Sequence, residues 1–143
     1  MFANTISNKW SEITKPAELT IELVVFDIGE VSFGIPMTKI NRVISNIFIG
    51  EDFSLTQDVQ ILDLHHRLFG VEISNPKAIA IFTGTDRQLS GIPIETVPTL
   101  LSVTLDRIRT LPNDFRTTSP LGIAGHVAII SNSTTELTIF ILA

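Results

Sequence analysis

Cysteine is absent from the 143 residues. That absence excludes disulfides, thiolate nucleophiles and every zinc site built on sulfur. Long apolar runs are missing too. The longest candidate, Leu137 to Ala143, is interrupted by Thr138 and falls far short of the roughly 18 residues that mark a membrane-spanning helix. No basic stretch followed by an apolar core opens the chain, so a secretory signal is not expected and the expected location is cytoplasmic. Positive charge is scarce: ten Lys and Arg against 15 Asp and Glu leave a net charge of −5. Affinity for a phosphate backbone comes mostly from clustered Lys and Arg. The only local basic pair, Arg107 with Arg109, is flanked by Asp106 and Asp114. Nucleic-acid binding is not expected. Neither is membrane insertion.

What the chain does have is apolar material of one kind. Hydrophobic residues make up 44% of the sequence, dominated by Ile, Val, Leu and Phe. β-Branched and aromatic side chains fit pleated, half-buried strands. The strands announce themselves twice. Val24 to Ser45 reads VVFDIGEVSFGIPMTKINRVIS, and Ala80 to Ser102 reads AIFTGTDRQLSGIPIETVPTLLS. Each copy has an apolar strand ending in Phe (Phe26, Phe82), a turn with Gly and Asp, and a second strand running into Gly-Ile-Pro (Gly34-Ile35-Pro36, Gly91-Ile92-Pro93). The offset is 56 residues at the Phe and 57 at the Gly-Ile-Pro, so the second turn carries one extra residue. A unit present only twice points to two similar β modules, because open solenoids need three or more units to bury a core.

Around the repeat the pattern stays short and β-like. Ile6, Trp10 and Ile13 are spaced as one face of a short helix in the segment 1–17, which is expected to dock on the body. Leu19, Ile21 and Leu23 alternate with polar residues, and Val24-Val25-Phe26 is apolar on both faces. Val59 to Leu64 reads as a strand, and His65 to Gly70 as a turn of helix closed by glycine. Thr104 is placed to cap a turn over Leu105-Asp106-Arg107-Ile108. Leu111 to Pro120 reads as loop, and Gly122 to Gly125, His126 to Ile130 and Leu137 to Leu142 as closing strands. The fold class is all-β, with pseudo-repeats over about 19–70 and 77–130 of one domain, 1–143. The expected core is Leu23, Val25, Ile35, Leu62, Ile79, Ile81, Ile92, Val127 and Ile129.

Taken in order, these pieces resemble the CheW-like domain, the adaptor module of bacterial chemotaxis. The resemblance runs from about Leu19 to Ile130. It rests on the first hairpin with Gly34-Ile35-Pro36, on Ile61-Leu62-Asp63-Leu64 with the turn to Gly70, and on the second hairpin with Gly91-Ile92-Pro93 and Thr96 to Ser102. Asp106-Arg107-Ile108 with Leu111-Pro112, and Gly122-Ile123-Ala124-Gly125 before His126 to Ile130, complete it. It implies two intertwined five-stranded barrels sharing an apolar seam. It also implies a non-catalytic scaffold that docks a histidine kinase regulatory domain and a chemoreceptor's cytoplasmic tip. One departure bears on partners. The family's Asn-Leu-Arg-Gly falls on Phe53-Ser54-Leu55-Thr56, so Leu55 replaces an arginine that helps partner contacts, and the stretch between Ile44 and Val59 is shortened. The C-terminal Leu137 to Leu142 also ends as a strand, where the family often adds a short helix.

Candidate sites follow from residue type. Ile47, Phe48, Ile49, Phe53 and Leu55 are unusually apolar for an irregular segment. They either plug a barrel end or present a contact patch, to a partner or to a second copy as a homodimer. Asp63, flanked by Ile61, Leu62 and Leu64, either accepts backbone amides or contacts a partner. His65, His66 and Asp63, with the distant His126, are the only residues that suggest a metal-binding or enzymatic barrel. Adjacent histidines point in different directions, so a surface turn is the expected role. No Gly-x-Ser-x-Gly elbow is present, and Gly122 to Gly125 is too short, and lacks the following helix, to cradle phosphate. No cofactor, metal or catalytic residue is expected.

Overall fold

A computed structural model describes residues 19–45, 59–73, 75–84, 87–131 and 134–142. Ten strands run through them. The first half gives β1 (Thr20–Ile28), β2 (Val31–Pro36), β3 (Ile40–Ser45) and β4 (Val59–Ile61). The second gives β5 (Ala78–Thr83), β6 (Leu89–Ile94), β7 (Thr99–Thr104), β8 (Ile108–Thr110), β9 (His126–Ser131) and β10 (Glu136–Ile141). Two short helices, α1 (Leu64–Phe69) and α2 (Asn113–Thr118), are the only α-helical elements among the described residues. The all-β expectation holds.

The sequence repeat is a repeat of register. In the first hairpin Phe26 faces Phe33, Val25 faces Gly34, Val24 faces Ile35 and Leu23 faces Pro36. In the second, Phe82 faces Ser90, Ile81 faces Gly91, Ala80 faces Ile92 and Ile79 faces Pro93. Phe26 therefore stands where Phe82 stands, and Gly34-Ile35 where Gly91-Ile92 stand. The extra residue lies in the turn. Ile28 pairs with Val31 across the two-residue loop Gly29-Glu30, with φ positive only at Gly29. That is the type II′ arrangement, whose twist suits flanking strands. In the second hairpin the Gly84 amide donates to the Gln88 carbonyl at 2.9 Å, which leaves three residues between them. Arg87 there has φ 64°, the left-handed position that three-residue hairpin loops require.

Each copy hands its third strand to the other. β3 follows the first hairpin and pairs antiparallel with β5 of the second, while β7 follows the second and pairs antiparallel with β1 of the first. The inner strand of each hairpin also takes a parallel partner at matching positions. Ile139 lies against Ser32 and Ile141 against Gly34; Val59 lies against Leu89 and Ile61 against Gly91. The match extends to single bonds: the Leu142 amide donates to Gly34 at 2.9 Å, and the Leu62 amide to Gly91 at 2.8 Å. The resulting sheets run β7-β1-β2-β10-β9-β8 and β3-β5-β6-β4. The implied split of five and five is thus six and four among the described residues. β8 and β9 are the strands without a counterpart there.

The larger sheet must curl. Its edge strands β7 and β8 are joined through the 3-10 turn Leu105–Arg107. Thr104 and Ile108 are at most ~14 Å apart along an extended chain. Six flat strands would separate the edges by ~24 Å. Curling leaves two apolar compartments. Leu23, Val103, Ala128, Ile139 and Ile141 fill the inside of the six-stranded sheet. The second compartment joins both sheets: Phe26, Ile28, Phe33 and Ile35 from the first hairpin meet Ala78, Ala80, Phe82, Ile92 and Ile94 from the second.

Of the expected core, Leu23, Ile35, Ile79, Ile81, Ile92 and Val127 are buried. Val25 and Leu62 are half-buried, packed against the edges of the two compartments. Ile129 is exposed. The inward face of β9 is set by Ala128 and Ile130, which leaves Ile129 on the opposite face. Three local readings also change. Residues 113–118 form α2 rather than loop, started after Pro112 and seated by Phe115, whose ring stacks on Phe140 with centroids 6.3 Å apart. The stretch Pro120–Ile123 is a 3-10 turn and not the start of a strand. Thr104 precedes its 3-10 turn without a side-chain capping bond; Arg109 instead ties the turn, donating to the Asp106 carbonyl at 2.6 Å.

Candidate functional site

Of the six expected contact residues, Ile47, Phe48, Ile49, Phe53 and Leu55 lie outside the described residues. Asp63 lies within them, at the junction of β4 and α1. It is the N-cap of α1: its Oδ1 accepts the His66 amide at 3.0 Å, and its own carbonyl accepts the Arg67 amide at 3.1 Å. A carboxylate at this position satisfies one of the free amides of the first helical turn and suits the positive end of the helix. Gly70 closes the other end with φ 76° and donates to the His66 carbonyl at 2.8 Å. Six residues with a cap at each end make a rigid ledge. Leu64 roots it in the compartment shared by both sheets.

The histidines diverge as adjacent residues must. His65 Nδ1 is 2.7 Å from the Val71 carbonyl, its ring packs against Phe69 with centroids 5.1 Å apart, and Nε2 is 4.0 Å from Glu95 Oε1. With Nδ1–H donating to Val71, the ring pins the chain leaving α1 to the helix itself. His66 is exposed, and His126 sits on β9 in the other sheet, opposite Ile141. Among the described residues no group of three or more His, Asp or Glu side chains is placed to hold a metal ion.

Beside the exposed His66 and Arg67, the ledge and its flanks also expose apolar side chains. Ile61, Phe69 and Val71 are each about half exposed or more, within eleven residues of one another in the chain. Phe69 is aimed as well as exposed. A Cβ built on Gly29 would lie 2.7 Å from its Cζ, so the first hairpin turn and the ledge touch only because residue 29 is glycine. A second group of exposed apolar side chains, Leu19, Val97, Leu100 and Leu105, lies along β7 and its flanks, with the Leu105 amide bonded to the Leu19 carbonyl at 2.9 Å. Sequence reasoning found Asp63 but neither group. No helix among the described residues is long and apolar enough to cross a membrane.

No protein-family model and no curated protein sequence matches the chain. Among solved structures, it is similar to the crystal structure of the scaffolding protein TtCheW from Thermoanaerobacter tengcongensis. The match has a TM-score of 0.63 at 15% sequence identity and covers 87% of this chain and 85% of that one. The fold is CheW-like.

Proposed function

We propose that this chain is a non-catalytic adaptor of a bacterial two-component, chemotaxis-like pathway. Acting as one domain in the cytoplasm, it holds a histidine kinase regulatory domain against a receptor's cytoplasmic tip. The supporting observation is the fold: over most of its length the chain superposes on a protein whose stated role is scaffolding. The residues fit that role and give no purchase for catalysis. Each cap, turn and ring contact at the β4–α1 junction is spent on holding the ledge, around which Ile61, Phe69 and Val71 are exposed.

The proposed contact surface joins Ile47, Phe48, Ile49, Phe53 and Leu55 to the exposed Ile61, Phe69 and Val71 beside them in sequence. Asp63 contributes by holding α1, not by reaching a partner. An interface anchored by Leu55 in place of an arginine offers no charge and no guanidinium fork, so it is drier and less sensitive to salt. Calorimetric titration against a purified kinase regulatory domain tests this. Phe48→Asp and Leu55→Asp are expected to weaken binding at least tenfold, and raising salt to change it little. Tight binding untouched by both substitutions would place the interface elsewhere. The same apolar surface favours a second reading, self-association, which a sizing run of the free protein reads directly.

A further inference from the structure

The curl of the six-stranded sheet leaves a groove that the adaptor reading does not use. β8 is only three residues long and pairs with β9 no further than Ala128. Beyond it, Ile130 and Ser131 of β9 and Leu101 to Thr104 of β7 line a cleft of about 180 Å³, together with Arg107. Leu101 and Ile130 pack with the buried Val103 at its base. Ser102, Thr104 and Ser131 supply hydroxyls along it. Arg107 also lines a neighbouring open groove of about 500 Å³ with Asp106, Arg109 and Ile129.

The two arginines are not equivalent. Arg109 is committed, donating from Nη1 to the carbonyls of Asp106 and Ile108 at 2.6 and 3.1 Å. Arg107 is exposed and makes no hydrogen bond or ion pair with the described residues. An uncommitted guanidinium beside an apolar cleft is complementary to a carboxylate next to an aliphatic side chain. For scale, an apolar cavity of about 150 Å³ accepts a benzene ring, so the cleft takes one side chain and no more. Both grooves are open, and a free acid would stay largely in water, whereas small-ligand pockets enclose most of their ligand. A peptide crossing both grooves has no such difficulty.

We infer that this cleft docks an extended acidic segment of a partner protein, with an aliphatic side chain seated over Leu101, Val103 and Ile130 and an adjacent Glu or Asp paired to Arg107. Asp106 borders the wider groove and disfavours a second acid there. The inference rests on the adaptor reading, and names the chemistry of one partner segment.

The test is an amide NMR titration of the whole chain with an acetylated hexapeptide, Ser-Glu-Leu-Glu-Val-Ser, and with the same peptide carrying Lys for both Glu. The acidic peptide is expected to give saturable shifts at residues 101–104, 107 and 129–131. Arg107→Glu, at an exposed position, is expected to weaken it at least tenfold, and Arg116→Glu on α2 to leave it unchanged. Absence of saturable shifts, shifts centred elsewhere, equal binding of the lysine peptide, or indifference to Arg107→Glu would each overturn the inference. No kinase or receptor enters the titration. A blank result alongside intact kinase binding therefore removes this site and spares the adaptor reading; peptide binding without kinase binding does the reverse.

Discussion

The two hairpins of this chain obey one register and two different turns. From Leu23 to Pro36 and from Ile79 to Pro93, every cross-strand pair of one copy has its equivalent in the other. Only the loops differ, two residues against three. Strand positions are fixed by what they touch on both sides, whereas a turn need only reverse the chain with an allowed φ. The repeated glycine shows how far the constraint extends. A Cβ on Gly34 would meet Ile139 at 3.0 Å and Leu23 at 3.2 Å; on Gly91 it would meet Val59 and Ile79, both at 3.2 Å. Ile139 and Val59 are equivalent residues of the parallel strands, and Leu23 and Ile79 are equivalent residues of the hairpins. The same two-sided crowding recurs, so the same residue recurs.

Breaking the shared compartment is the largest test of that equivalence. Ile35 and Ile92 occupy matching places and are both fully buried in the cluster that joins the sheets. Truncating either to Ala is expected to cost about 2–5 kcal/mol, as buried aliphatic truncations do. Denaturant melts of the two variants should give similar losses. A large loss at one and none at the other would mean that the copies share a register but not a core.

The glycines sharpen the comparison. Gly34→Ala pushes against Ile139 and Leu23, both completely buried with nowhere to go. Overpacking of this kind costs about 1–3 kcal/mol. Gly91→Ala pushes against the buried Ile79 and against Val59, which is half-buried on β4, a three-residue edge strand. Val59 has room to give where Ile139 and Leu23 have none, so the loss at Gly91 is expected to be the smaller. Equal melts would show that the two sheets are equally tight around their glycines. Asp63→Ala follows in size. Loss of the α1 cap is expected to cost roughly 0.5–2 kcal/mol. The copies differ here too, since β10 is followed by Leu142 with no described helix after it.

How much of this was legible in the sequence depended on whether the determinant was local. The 56- and 57-residue offsets contained the register and the extra turn residue outright. Asp63 ahead of a helical turn ending in Gly70 carried its capping role in its position. The exchange of β3 and β7 between copies could not be read from the repeat, which says which residues are alike and not which strands pair; only the family resemblance implied intertwined barrels. His126 to Ile130 is apolar on both faces, so alternation gave no way to choose Ala128 over Ile129 as the inward residue. The helix α2 has a single aromatic, Phe115, and no periodicity; its seat is the ring of Phe140, a contact between residues 25 apart. The Arg107 cleft needed the curl of a sheet whose edges meet only through three residues. Ile47, Phe48, Ile49, Phe53 and Leu55 are still argued from sequence alone.

In the turns the copies are expected to respond with opposite sign. Gly29 has φ 61° and Phe69 directly above it, so Gly29→Ala combines a strained backbone with a 2.7 Å approach to the ring. Destabilisation is expected, of roughly 1–2 kcal/mol for the left-handed conformation alone. Arg87 has φ 64° without being glycine, the only such residue among those described. Arg87→Gly removes the strain of holding a side chain in that conformation, but it also frees the unfolded chain, which takes back about 0.5–1 kcal/mol. The remainder is a net gain of at most about 1.5 kcal/mol, read as a small rise in the denaturant midpoint at unchanged slope. A fall in midpoint for Arg87→Gly would mean that the arginine side chain contributes more to the turn than its backbone costs. The second turn would then be held by a contact that the first has no equivalent of.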